Sequence, residues 1–133
     1  MADSILMVDT SLLIDYFRKT DKSKARLVQL SEQFGQLAIS SVTEFEVYSG
    51  ATSMQLTFWN ELLFEVVVFP FDTKAAHMAV EIQRDLKKQR ISIEKADLFI
   101  AATAVANGLS LDTLNRKHFD KIEQLTLLDN SGG

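Results

Sequence analysis

The sequence predicts an α/β protein, a three-layer α/β/α sandwich around a central, mostly parallel sheet of four to five strands. Along its 133 residues, short apolar runs alternate with segments whose apolar residues recur at helical spacing. The runs are continuously apolar, which is typical of strands covered by helices on both faces. Such alternation favours parallel strands joined by right-handed crossovers.

Five continuous apolar runs are the candidate strands. The third, FEVVVF, is the richest in β-branched residues and ends at Pro70. The last two are shorter, so we expect four to five strands in all. The predicted strands cover residues 5–8, 36–40, 64–69, 109–111 and 125–128.

Six segments are predicted to be helical. In the longest of them, apolar residues recur at intervals of four, three and four from Ala75 onward. The last is apolar nearly all round, which predicts a buried helix that Gly108 ends. Ser23 and Gly35 are expected to cap the second. The predicted helices cover residues 11–18, 24–34, 43–49, 53–63, 73–89 and 96–107.

Length and composition predict a single domain over residues 1–133, without repeats or linkers. The absence of cysteine excludes a disulfide framework and a thiolate metal site. The N-terminus is acidic where an export signal is basic, and its apolar run is too short to span a membrane. We therefore expect a soluble, cytoplasmic protein that does not associate with membranes.

The net charge of −4 argues against a protein that coats duplex nucleic acid non-specifically, since such proteins are normally basic. If this chain handles nucleic acid, it must use a local basic patch or metal ions. An acidic pocket is the other interpretation of the negative charge.

Acidic residues fall where the predicted strands end. Asp9 follows the first strand, Glu46 lies just beyond the second, Asp97 begins the buried helix and Asp112 follows the fourth strand. Ligands of such folds bind at this edge of the sheet. Crowded carboxylates repel unless they share protons or a cation. Oxygen ligands without cysteine favour Mg²⁺ or Mn²⁺, which act mostly on phosphates.

Each acid also has a purely structural interpretation. Asp9 could cap the following helix. Thr43 and Glu46 have the spacing of a capping box. Asp97 could complement the dipole at a helix start. No single acid decides the matter, but all of them follow or face strand ends, which favours a shared site.

Four motifs together resemble a PIN-domain ribonuclease of the VapC toxin type. They are VDTSLLIDYF, SSVTEFEVYSG, ADLFIAATAVANGLSLDT and LNRKHF, and their order and spacing match from Val8 to Phe119. The first motif alone is weak, whereas the third is much more specific. The resemblance implies a PIN-like fold.

The resemblance implies roles for individual residues. Asp9, Glu46 and Asp97 match the catalytic acids that hold Mg²⁺ or Mn²⁺. Ser11, Thr113 and Asn115 match the family's polar residues that orient waters and ligands around the metal. Separately from the resemblance, RNA contact needs positive charge, and we expect it from Arg18, Arg116 and Lys117 because they lie close to the motif residues.

The last motif departs from the family pattern. Many relatives carry a fourth acid at one of two positions, which here hold Asn115 and His118. Asp112 lies nearby and is a further candidate metal ligand. His118 is a candidate proton donor, although a histidine in a polar turn is the simpler interpretation. Three acids can still hold one Mg²⁺ with the substrate phosphate completing its shell.

The resemblance implies a metal-dependent endoribonuclease that acts as the toxin of a toxin–antitoxin pair and inhibits translation and growth. It also implies a small cognate antitoxin and a homodimer. The large apolar residues Phe45, Tyr48, Met54, Phe58 and Trp59 could supply an antitoxin groove, a dimer seam or simple core packing. The alternative is a PIN domain that no longer cleaves and serves as an RNA- or protein-binding module.

Two other families that cluster acids at strand ends fit less well. A phosphotransfer receiver domain needs an accepting aspartate after the third strand, which here ends VVVFPF, and a lysine after the fifth, which here continues LTLLDN. A haloacid-dehalogenase-type phosphatase needs D-x-D at the first strand, where this chain has DTS.

Overall fold

A parallel four-stranded sheet lies at the centre of the protein. The computed structural model describes residues 4–129. Within them the strand order is β3-β2-β1-β4, and every neighbouring pair is parallel. The strands are β1 (Ile5–Val8), β2 (Gln36–Ser40), β3 (Val67–Phe69) and β4 (Leu111–Asp112).

Helices cover both faces of the sheet, which confirms the predicted three-layer α/β/α class. In β1, Leu6 and Val8 pack into an apolar cluster with the first, second and fourth helices, while Met7 faces the cluster formed with the last two. This alternation follows from the two-residue repeat of a strand. The helices are α1 (Thr10–Arg18), α2 (Arg26–Gln33), α3 (Ser41–Ser49), α4 (Leu56–Phe64), α5 (Thr73–Lys88) and α6 (Lys95–Ala106).

The predicted fifth strand is reduced to an isolated bridge. Leu111 pairs with Leu127 alone, through hydrogen bonds from Leu111 N to Thr126 O and from Leu128 N to Leu111 O, each 2.9 Å. β3 is also shorter than predicted, because α4 continues to Phe64 into the apolar run. The apolar runs therefore located the strands correctly but overestimated the length of β3 and of the fifth strand.

Two predicted helix caps are wrong. Ala25 is the N-cap of α2, and Ser23 lies in a preceding 3₁₀ turn (Lys22–Lys24), where its Oγ donates to Asp21 Oδ1 at 2.6 Å. At the other end Gly35 directly follows the C-cap residue Phe34, but it lacks the left-handed conformation of a capping glycine, which among the glycines of residues 4–129 only Gly108 adopts. The side chain of Asp21 competes for Ser23 and moves the helix start towards the C-terminus.

Gly108 ends α6 as predicted. Its φ is +67°, a left-handed conformation that glycine adopts without a Cβ clash. Leu109 N donates to Ala104 O at 2.9 Å and Gly108 N to Val105 O at 3.1 Å, which is the usual glycine-capped helix end. The same bonds end α5 around Arg90, whose φ is 61° although it has a side chain. The turn after Gly108 directs the chain into β4.

No helix among residues 4–129 combines the length and the apolar character that crossing a bilayer requires.

Candidate active site

Asp9 lies at the junction of β1 and α1 and is the N-cap of that helix. Its backbone is extended, and its Oδ1 accepts a 3.1 Å hydrogen bond from Ser11 N. The predicted cap is therefore present. Capping the helix is compatible with a role for Asp9 in a functional site, because the cap directs its carboxylate beyond the end of β1.

Hydroxyl groups hold both carboxylate oxygens of Asp9. Ser11 Oγ donates to Oδ1 at 2.5 Å, and Thr113 Oγ1 donates to Oδ2 at 2.6 Å. Only 3% of Asp9 is exposed. Burial raises the pKa of Asp9, the hydrogen bonds from Ser11 and Thr113 oppose that shift, and the nearby charge of Asp97 adds to it. Asp9 is thus a fixed carboxylate whose negative charge is poorly solvated.

Glu46 on α3 is held by a neighbouring hydroxyl rather than by a capping box. Thr10 Oγ1 lies 2.5 Å from Glu46 Oε1 and 3.1 Å from Oγ1 of the fully buried Thr43. The helix begins earlier than predicted, with Ser40 as its N-cap. The predicted Thr43–Glu46 box is wrong because both residues are already inside the helix.

Asp97 lies in the first turn of α6, as predicted. Its Oδ2 is 3.1 Å from Nδ1 of His118, a half-exposed residue. Burial raises the pKa of Asp97, while His118 pulls it down. His118 therefore serves as a partner of one of the predicted catalytic acids, in the position where relatives were expected to carry a further acid.

The three acids line one cavity of about 500 Å³, which we call the acidic cavity. They come from the end of β1, from α3 and from α6, so the parallel topology brings distant segments together. Ser11, Asn115 and Arg18 also line it. So does Asp15.

The acidic cavity has donor chemistry that suits a hard divalent cation. Its carboxylates supply only oxygen, and the two with raised pKa values face the same space. Within residues 4–129, no three acidic or histidine side chains are arranged around a common point. The structure therefore shows a carboxylate-lined cavity that suits such a cation, rather than an assembled metal centre.

Asp112, the further candidate ligand, is not brought to the acidic cavity. It is 1% exposed, and its Oδ2 lies 3.1 Å from Arg26 Nε. Its Oδ1 lies 3.8 Å from Arg116 Nη1. The expectation that Asp112 is a metal ligand is therefore corrected. Asp112 is a buried carboxylate whose ion pair with Arg26 joins β4 to α2.

The predicted RNA-contact residues lie in different surroundings. Arg18 lines the acidic cavity, and Lys117 is exposed beside a neighbouring one. Arg116 is turned inward: its Nη1 donates to Leu128 O at 2.9 Å. Only Arg18 and Lys117 are therefore available to phosphate in this conformation.

The large apolar residues divide between packing and exposure. Phe17, Phe58 and Trp59 form one aromatic cluster, with ring centroids 5.1 to 5.2 Å apart. Phe45 and Met54 remain 69% and 92% exposed. Core packing thus accounts for part of the set, while two members stay available to a partner.

Sequence reasoning missed one partner of the site and one partner of a predicted site residue that lies outside it. Thr10 was not singled out, although it holds Glu46, and Arg26 was not connected with Asp112. The hydroxyl beside Asp9 in the VDTS motif could have indicated the first. No local signal indicates the second, because its two residues are 86 positions apart.

Comparison with known proteins gives a consistent picture. The PIN domain family model matches residues 6–125. The chain is 37% identical over 129 residues to ribonuclease VapC1 of Methanocaldococcus jannaschii, covering 94% of this chain and 86% of the relative. It is 33% identical over 131 residues to ribonuclease VapC1 of Rickettsia felis, covering 92% and 94%.

Solved structures resemble the fold over nearly its full length. VapBC2 of Rickettsia felis, bound to a DNA fragment from their promoter, superposes with a TM-score of 0.77 at 25% identity, covering 94% of this chain and 98% of that one. DNA-bound VapBC of Salmonella typhimurium reaches 0.82 at 23% identity, covering 96% and 98%. At that identity the second likeness shows the fold alone.

Proposed function

The chain belongs to the PIN domain family and, within it, to the VapC ribonucleases, and from this premise we propose that it is a metal-dependent endoribonuclease. One observation carries the proposal: Asp9, Glu46 and Asp97, from three separate elements, line a single cavity. Carboxylates assembled in this way suit phosphodiester hydrolysis with a divalent cation.

Asp9, Glu46 and Asp97 are the residues that would hold the cation, and Mg²⁺ or Mn²⁺ suits their oxygen donors. Bound there, it would supply Lewis acidity to the phosphate and lower the pKa of the attacking water. Ser11 and Thr113 hold the orientation of Asp9 through their hydroxyls, and Thr10 holds Glu46. These hydroxyls restrict the side-chain motion of the two acids and so keep their carboxylates in a fixed orientation.

Three further residues act on the RNA in this proposal. Arg18 lines the acidic cavity and can pair with a backbone phosphate, and Asn115 can donate an amide hydrogen to the same group. Lys117 extends the positive charge beyond the cavity. Because the acids lie in a cavity, a flexible single strand can bring a phosphate to them more readily than a rigid duplex.

We also propose that the chain is a toxin neutralised by a small antitoxin and that residues 1–133 form one nuclease domain. The solved VapBC structures, one of them bound to promoter DNA, support a protein partner of this kind. Exposed Phe45 and Met54 give an antitoxin or a second copy apolar surface to cover. Free toxin would then cleave RNA and inhibit translation and growth.

The alternative proposal is a PIN domain that binds RNA or protein without cleaving. It draws support from the last motif, where Asn115 and His118 replace the expected acid and Asp112 is paired elsewhere. A cleavage assay separates it from the enzyme.

The test compares the parent with Asp9→Asn and Asp97→Asn on total RNA, with the new RNA ends mapped. The exposed Asp120→Asn variant is the matched control. We expect cleavage by the parent in Mg²⁺ or Mn²⁺ and none in chelator. Each site variant should lose about two to three orders of magnitude in rate, the scale for removing one electrostatic group from a catalytic site.

An Asp9→Asn variant that cleaves like the parent would show that the acids are not the catalytic residues. A parent that binds RNA but cleaves none in either metal would favour the binding-module alternative. In cells, expression of the parent should stop growth, and co-expression of the cognate antitoxin should restore it.

A further inference from the structure

A second cavity adjoins the acidic cavity. It has a volume of about 300 Å³, and Asp97 and His118 line both cavities. The Asp97–His118 pair is therefore a shared wall, and a flexible ligand seated at the acids can pass over it without leaving the surface. We call the second space the flanking cavity.

The flanking cavity combines an apolar floor with a rim that carries two lysines and the exposed Glu94. Leu86 and Ile122 are buried, and Ile93 is half-buried at the floor. Lys117 and Lys121 are exposed at the rim. Among residues 4–129, no carboxylate pairs with either of these lysines in an ion pair. An apolar surface beside two free ammonium groups matches a base attached to a phosphate.

We propose that the flanking cavity binds the nucleotide next to the scissile phosphate in single-stranded RNA. The base lies against Ile93 and its neighbours, and Lys117 and Lys121 pair with the phosphate. Glu94 and Ser92 on the wall offer an acceptor and a hydroxyl to the edge of the base. This subsite rests on the proposed ribonuclease function and adds Lys121 and the residue 91–94 segment to it.

The observations favour RNA over a peptide as the occupant. The cavity lies at the lower end of the size range for ligand pockets, which suits one nucleotide better than a helix. It adjoins the acidic cavity across the Asp97–His118 pair, so a polymer that crosses the cleavage point can reach both cavities. Positive charge that follows the backbone beside a surface for the base is how proteins bind single strands, and here the surface is aliphatic rather than aromatic.

The experiment measures binding separately from cleavage. A labelled random-sequence RNA of roughly ten nucleotides, within the usual range of single-strand sites, is titrated in chelator onto the parent and onto a Lys117→Ala/Lys121→Ala variant. Lys24→Ala/Lys74→Ala is the matched control, since both lysines are exposed and line neither cavity. RNA containing 4-thiouridine is crosslinked in parallel, and the labelled peptides are mapped.

We expect the Lys117/Lys121 variant to lose roughly tenfold in affinity at low salt, with the slope of log affinity against log salt smaller by about 1.4. The control should match the parent, and crosslinks should fall within residues 91–94. Parental affinity and slope in the variant would overturn the proposal, as would crosslinks confined to other segments or no RNA binding by the parent.

Two further outcomes separate the subsite from the ribonuclease proposal. Cleavage by the parent together with unaltered binding in the Lys117/Lys121 variant would refute the subsite and leave the ribonuclease intact. A variant that binds RNA normally but no longer binds the co-expressed antitoxin would assign the flanking cavity to the protein partner, and the subsite would again be wrong.

Discussion

Thr113 Oγ1 donates a 2.6 Å hydrogen bond to Asp9 Oδ2 across 104 positions of sequence. Both residues are 3% exposed. The bond joins the end of β4 to the end of β1, and Ser11 Oγ lies 3.4 Å from the same threonine hydroxyl. The direction of the Asp9 carboxylate therefore depends on the correct pairing of two strands.

Replacing Thr113 with valine should destabilise the protein by about 2 kcal/mol, because it removes a buried hydrogen bond to a charged group. Ribonuclease activity should fall as well, since Asp9 loses one of the hydroxyls that orient it. Urea unfolding and a cleavage assay check the two effects. Thr113→Ser keeps the hydroxyl and should retain most of both. Retention in the valine variant together with loss in the serine variant would show that the methyl group, not the hydrogen bond, matters.

Asp9 should contribute a loss of stability to the metal-free protein as the pH rises above 3.8, the ordinary pKa of this carboxyl group. Burial raises this pKa in the folded state, so unfolded chains lose the proton first and the folded state binds more protons. The loss is complete once the pH exceeds the folded pKa. Asp9→Asn cannot ionise and should show a shallower decline, which thermal unfolding in chelator would measure. The Asp120→Asn control should follow the parent profile.

Added Mg²⁺ or Mn²⁺ should raise the melting temperature of the parent at neutral pH, because a cation that binds only the folded state stabilises it by mass action. Asp9→Asn and Asp97→Asn should gain little. Calorimetric titration with the metal alone would give the matching affinities. An equal gain in the parent and both variants would place the metal elsewhere.

Arg26→Met should destabilise the protein by roughly 3 kcal/mol, because Asp112 is left as a buried carboxylate without its closest cation. Adding Asp112→Asn to that variant should recover much of the loss, which a double-mutant cycle by urea unfolding would show. Asp112→Asn alone should retain cleavage, since its carboxylate does not line the acidic cavity. Loss of cleavage in a folded Asp112→Asn protein would contradict that placement.

Gly108→Ala should cost about 1 kcal/mol, because the left-handed conformation at φ +67° penalises a Cβ. Gly50 is the matched control: its φ is −90°, and an added Cβ meets only Glu46 O at 3.6 Å, an ordinary contact. Gly50→Ala should be neutral or stabilise by about 0.5 kcal/mol, by reducing the freedom of the unfolded chain. Thermal unfolding of both variants checks these values. Because a Cβ at position 108 meets no atom within 4 Å, a loss there reports the cost of the backbone conformation and not a steric clash.

Local pattern predicted the elements more accurately than their ends. β1 and β2 have the predicted bounds, because each is a short apolar run covered on both faces. The start of α2 was misplaced, since Asp21 and Ala25 rather than Ser23 shape the turn before it. Helix ends depend on competing hydrogen bonds of similar strength, which spacing of apolar residues does not report.

The sequence by itself determined the α/β class, the elements that carry the acids, and the family to which the chain belongs. These follow from apolar periodicity and from motifs whose residues lie close together along the chain. Tertiary structure alone decided which acids share a cavity. Asp9 and Asp112 both follow strands, yet Asp9 faces Asp97, whereas Asp112 pairs with Arg26. The direction of a side chain at a strand end depends on the partners that strand pairing and helix packing place beside it, and these partners come from distant positions.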